Sequence, residues 1–184
     1  MGKLPESPFE VRLAATLFLL LMGLANLFGA WQVGNFASFT PSGVAGAFRS
    51  SEHEGHSMPA GVSGEKPINP ASLNDQPHRI SRELLVQDSH VHLPVYAMAA
   101  AFFVLILFGL RLSQRVRIVL VLAAFAAPVL DFAGLWGAHL WSERGRLWGA
   151  VAVFGGFLMG LVYLIVLALT LKQCWFSRQG EDHA

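Results

Sequence analysis

Charge is scarce in this chain. Only 14% of its 184 residues are charged, where a water-soluble domain carries about 25%, so there is too little to coat a water-facing surface. Cysteine is scarcer still: Cys174 stands alone, which excludes an internal disulfide. It follows the last apolar block, on the side that the arginine pattern makes cytoplasmic, where thiols stay reduced. A free structural thiol is the reading there, and palmitoylation the alternative. No P-loop, GxSxG, HExxH or CxxC pattern occurs, so the chemistries those motifs carry have no sequence basis. A net charge of +1, with no basic stripe interleaved with aromatics, speaks against a nucleic-acid partner.

What the chain has is long apolar runs, with 54% hydrophobic residues overall. They fall into four blocks: 13–31, 93–110, 118–140 and 147–171. Each is near the ~20 residues that cross ~30 Å of hydrocarbon. Only helices and closed barrels satisfy their backbone in lipid, and these unbroken runs do not alternate as barrel strands do. The expected fold is an all-α integral membrane protein, a bundle of four transmembrane helices in a lipid bilayer. The first block follows Lys3 and Arg12 like a signal peptide, but it is long for one and no A-x-A site follows, so it reads as a retained helix.

Orientation follows from the arginines. The link 111–117 carries Arg111, Arg115 and Arg117, and short Arg-rich loops mark the cytoplasmic side. The N-terminal segment 1–12 and the tail 172–184 then fall on that side too, so both termini are cytoplasmic. The segment 32–92 becomes a long outer loop, with a short interfacial helix expected at 80–88, and 141–146 a short outer one. Trp31, Trp136, Trp141 and Trp148 gather near the outer boundary as an aromatic belt would. The expected location is a bacterial inner membrane. Span four contains Gly156-x-x-x-Gly160. Small residues let helices approach closely, and an internal contact with Gly23 and Gly29 or with Gly134 and Gly137 is the favoured reading. A homo-oligomer face or a contact with other membrane subunits is the alternative.

Three histidines share one depth. Spans two and three form a hairpin with its midpoint near Gln114, and His90 and His139 lie at almost equal counts on either side. At ~1.5 Å per residue both sit ~36 Å from the turn, with His92 close by. On a helix His90 and His92 point ~200° apart, so only one faces the bundle; on an extended chain both can face one side. Pro94 fits a helix that starts just before it. Imidazoles gathered there suit haem b between spans, with Phe102, Phe103 and Phe132 as walls, or a copper or zinc ion on His90, His92 and His139. The plainer reading is that they are amphipathic anchors at the headgroup level.

Asp131 lies inside span three, and an intramembrane carboxylate is a functional-site hypothesis by default. The hairpin count sets it beside Tyr96, and Asn26 on span one is a second candidate partner. Asp131 reads as a proton relay, as an acid at a quinol site, or as a hydrogen-bonded anchor of the bundle. Pro128 kinks the helix just before it. The outer loop holds His53, His56 and Met58, a copper-type donor set between Glu52, Glu54 and Ser57, although a solvated loop is the simpler reading.

The stretch Ser89-His90-Val91-His92-Leu93 resembles the H-x-H-L helix start in the catalytic subunits of nitric oxide reductases and related haem–copper oxidases. The resemblance covers about ten residues and implies that His90 and His92 bind metal at the outer part of the membrane. The roughly twelve spans and further ligand histidines of those subunits are absent, so no oxidase active site is implied. The expected function is a small membrane redox or metal- or haem-binding subunit, a respiratory-chain accessory. The alternatives are a non-catalytic structural or assembly subunit and a transporter, and whether the protein is an enzyme stays open.

Overall fold

A computed structural model describes residues 3–48 and 80–176 of the chain. Four helices are long and apolar enough to span a membrane: α1 (Phe9–Ala37), α3 (Arg82–Gly109), α4 (Gln114–Leu140) and α5 (Gly145–Leu171). A short helix, α2 (Pro41–Phe48), lies between the first two. At 27 to 29 residues each long helix measures ~40 Å, longer than the ~30 Å of hydrocarbon, so the ends project into the interfaces. The expected four-helix bundle is the observed fold.

Local chemistry sets the ends. Ser81 Oγ accepts from Leu84 N–H at 3.3 Å and Ser113 Oγ from Val116 N–H at 3.5 Å, capping α3 and α4 and satisfying first-turn donors. The chain turns from α1 into α2 through Ser38 and Phe39, both left-handed (φ 51° and 49°). Thr40 Oγ1 then accepts from Gly43 N–H at 3.0 Å, and Pro41 occupies the first helical position, where its missing N–H costs nothing. Composition alone makes 41–48 look like loop; the cap and the proline make it a helix.

One further boundary and one packing contact differ from expectation. The helix leading into span two starts at Arg82, not at Leu93, and runs unbroken through Pro94. Ser81 caps it, and the residues after it are compatible with a helix, so the apolar block and the interfacial segment fuse into one rod. Gly156 and Gly160 meet nothing within 4 Å, so they do not make the internal contact expected of them. Other glycines do. A Cβ on Gly134 would run into the backbone of Ala152, one on Gly155 into the backbone of Asp131, and one on Gly137 into the Trp148 indole. Thus α4 and α5 pack backbone to backbone, as small residues in lipid allow.

Helix α1 is held to the bundle through its first half and again at its last residue, Ala37, which is buried with Val44, Ala47 and Ala152. Its first half buries Leu19 completely, sets Phe18 against Phe102 and Phe103, and places Gly23 against the Tyr163 hydroxyl. Its second half exposes Leu24, Leu27, Phe28 and Trp31. The end that holds both the N-terminal residues and the turn after α5 is here called the inner end. There Glu6 pairs with Arg111 at 2.8 Å, Gln173 Oε1 accepts from Arg111 N–H at 2.8 Å, and Arg12 Nη1 donates to the Cys174 carbonyl at 3.0 Å. Cys174 itself is buried and unbridged.

Candidate functional site: a row of exchangeable groups at the outer end

The outer ends of α2, α3 and α4 meet through hydrogen bonds. Trp136 Nε1 donates to Ser89 Oγ at 2.9 Å, and Ser89 in turn donates to the Leu85 carbonyl at 2.8 Å. The chain returning at Ile80 donates its N–H to the Ala47 carbonyl at 2.9 Å. His139 is buried, and its Nδ1 bonds the Phe48 carbonyl at 3.1 Å. This histidine therefore fastens α4 to the end of α2, and Trp136 lies edge-on to it with ring centroids 6.4 Å apart.

That arrangement corrects the three-histidine site. Because α3 is helical from Arg82, His90 and His92 point ~200° apart. Ser89 faces α4, which sends His90 outward, where it is exposed. His92 also keeps an exposed edge, and its Nδ1 is bonded within its own helix. Among the described residues no three of His, Cys, Asp and Glu come together as a metal site, so His90, His92 and His139 do not form a copper or zinc ligand set. His53, His56 and Met58 lie outside the described residues, as do His78 and His183.

A different constellation appears on α3. Asp88, His92 and Tyr96 follow at intervals of four, which stacks them along one face. His92 Nδ1 sits 3.1 Å from Asp88 Oδ1 and 3.0 Å from the Asp88 carbonyl. Both are acceptors, so Nδ1 carries the proton in this arrangement. The His92 and Tyr96 rings are 6.0 Å apart, and Tyr96 packs on Phe132 of α4 at 5.9 Å. Tyr96 lies within electrostatic range of Asp131 as well as Asp88. The Tyr96–Phe132 contact sets Tyr96 near the level of Asp131, the residue before Phe132 on α4. Among the described residues, however, no hydrogen bond links them, and Asn26, half-buried on α1, makes none either.

Asp131 sits one residue before Phe132 and with its backbone against Gly155. It lies nine residues from the end of α4, ~13 Å along the axis, which is well below the headgroups. Asp88 is the member that the sequence reading missed. Its D-x-x-x-H-x-x-x-Y spacing is the available signal, hidden by the expected break between an interfacial helix ending at Asp88 and a span beginning at Leu93. Carboxylate, imidazole, phenol and carboxyl are all groups that take up and release protons. The row runs from an exposed acid at the outer end to a half-buried acid inside the bilayer.

These spans and their packing define the class: a polytopic helical domain that lives in a lipid bilayer. Residues 38–181, well over half of the chain, match a family described as a transmembrane helical domain. The chain belongs to that family, Aq_1264_TM. No curated protein and no solved structure matches it.

Proposed function

We propose that this domain handles protons in the outer half of the membrane, with Asp131 as the internal acceptor and Asp88, His92 and Tyr96 as the route to it. The observation that carries the reading is a carboxyl group inside the bilayer with no hydrogen-bond donor on it among the described residues, at the foot of a row of exchangeable groups. A structural anchor needs the hydrogen bond that this group lacks. An intramembrane acid is costly unless it is paired or protonated, and reversible protonation is then its chemistry. The proton passes from the Asp88–His92 pair, through side-chain motion or a bridging water, to Tyr96 and Asp131. Such a relay serves a proton-coupled transporter or a respiratory accessory; a quinol in the bilayer would be a proton donor to the same acid.

Charge asymmetry supports the orientation. Among the described residues, the inner end carries Lys3, Arg12, Arg111, Arg115, Arg117 and Lys172 against Glu6 and Glu10, whereas Arg82, Arg144 and Arg146 balance Glu83, Asp88 and Glu143 at the outer end. The inner end is then cytoplasmic, and in a bacterial inner membrane the relay opens toward the periplasm.

The test is proton uptake by vesicles holding the protein, followed with an internal pH dye after an external acid jump. Wild type acidifies the lumen faster than empty vesicles, Asp131→Asn does not, and His92→Gln falls between. Equal rates for wild type and Asp131→Asn remove the reading. A second reading, an assembly subunit, is favoured by one observation: the outer half of α1 leaves Leu27, Phe28 and Trp31 exposed. Co-purification of a larger complex that is lost on replacing Leu27 and Phe28 by serine supports it.

A further inference from the structure

The inner end holds a buried charge that no carboxylate among the described residues neutralises. Arg12 is 8% exposed, and among the described residues no carboxylate pairs with it. Its Nη1 donates to the Cys174 carbonyl at 3.0 Å, its guanidinium lies 5.5 Å from the centre of the Trp175 ring, and its Nε is buried without a partner. Neither the carbonyl nor the indole face carries a full negative charge. A buried guanidinium served only by dipoles is expensive, and truncating it costs packing as well as charge. Glu10, two residues before Arg12, makes no ion pair with it among the described residues. Glu6, an acid at this end, is shared by Lys3 and Arg111.

The geometry also holds the guanidinium still. Trp175 Nε1 donates to Thr16 Oγ1 at 3.0 Å, and Thr16 Oγ1 donates to the Arg12 carbonyl at 2.8 Å. The indole under the guanidinium is thereby fixed to the helix that carries the arginine. The turn that supplies both Cys174 and Trp175 is π-helical, Lys172–Phe176, and such turns recur at functional sites. Arg12 is thus pre-oriented near the inner headgroup level, with spare donors and, among the described residues, no counter-charge.

We infer that Arg12 binds a phosphate group at the inner membrane surface, between the start of α1 and the turn after α5. A guanidinium suits phosphate through paired, charge-assisted hydrogen bonds, and basic pockets between helices on the cytoplasmic side are where anionic headgroups settle. The phosphate has two sources, an anionic phospholipid of the inner leaflet or a soluble phosphate.

The experiment is thermal unfolding of the full chain in a neutral sugar detergent, with phosphatidylglycerol, diacylglycerol or inorganic phosphate added. Phosphatidylglycerol is expected to raise the midpoint by about 3 °C, and diacylglycerol to leave it unchanged. The rise is lost in Arg12→Gln and kept in Arg115→Gln, whose side chain is exposed on the neighbouring turn. A rise of the same size with inorganic phosphate supports the phosphate site and assigns it a soluble source. Equal rises with phosphatidylglycerol and diacylglycerol, or an undiminished rise in Arg12→Gln, overturn the proposal. Should Arg12→Gln not fold, native mass spectrometry of the unaltered protein decides. Phosphatidylglycerol retained in preference to diacylglycerol supports the site, and no preference overturns it.

Discussion

Helix α4 meets its two neighbours in opposite ways. Toward α5 it presents glycines: the two backbones meet at Gly134 and, from the α5 side, at Gly155, and Gly137 seats the Trp148 indole. Toward α3 it presents Phe132 and Trp136, which meet Tyr96 and Ser89 through rings and one hydrogen bond. The first contact is close and leaves no room for adjustment, because a backbone cannot rotate away as a side chain can. The second is built of side chains with alternative rotamers. The exchangeable groups gather at the second contact, and the rigid first contact fixes the depth of Asp131.

This contrast can be broken most severely on the α5 side. Gly155→Leu should destabilise the protein by about 3 kcal/mol, read by thermal unfolding in detergent, because its Cβ meets the Asp131 backbone. Gly156→Leu, one residue on and facing open space, should change stability by no more than about 0.5 kcal/mol. A smaller effect is expected at the acid itself. Asp131→Asn should raise stability by about 1 kcal/mol, because an unpartnered intramembrane carboxylate is costly; a loss of similar size would mean that the carboxyl is a hydrogen-bonded anchor. On the α3 side, Trp136→Phe removes the bond to Ser89 and should cost about 1 kcal/mol, with Ser89→Ala giving a comparable change and the double variant little more.

The smallest effect lies at the inner end and depends on pH. Glu6 is exposed, and its hydrogen bond with Arg111 holds the carboxyl below its ordinary range. A depressed acid contributes stability above its unfolded pKa, near 4.3, and loses that contribution as pH falls through the folded value. The unfolding midpoints of wild type and Glu6→Gln should therefore differ slightly at neutral pH and converge in strong acid. Solvent screening keeps the difference small.

The spans were legible because hydrocarbon imposes a length that the sequence must meet. The shared level of Tyr96 and Phe132 was legible for a related reason: two helices joined by a short turn keep equal counts at equal depth. Rotation was not legible, since it depends on where a helix starts. Once Ser81 caps α3, His90 and His92 part company, and a presumed ligand pair becomes one outward ring and one member of a different row. Helix–helix contacts were legible only by class. Glycine content marked α5 as a close-packing helix, but Gly149 and Gly155 face inward and the G-x-x-x-G pair does not. His139 fixing Phe48 was invisible, because it depends on a short helix that composition disguised as loop.

Pro94 stands between His92 and Tyr96 inside α3. Lacking an N–H, it leaves the His90 carbonyl without its intrahelical donor. A ladder missing that rung bends more readily there than elsewhere. The break coincides with the 6.0 Å separation of the imidazole and phenol rings. In the relay proposed above, flexing at this joint would bring the two rings together or part them, and the proline would set the tempo of proton passage.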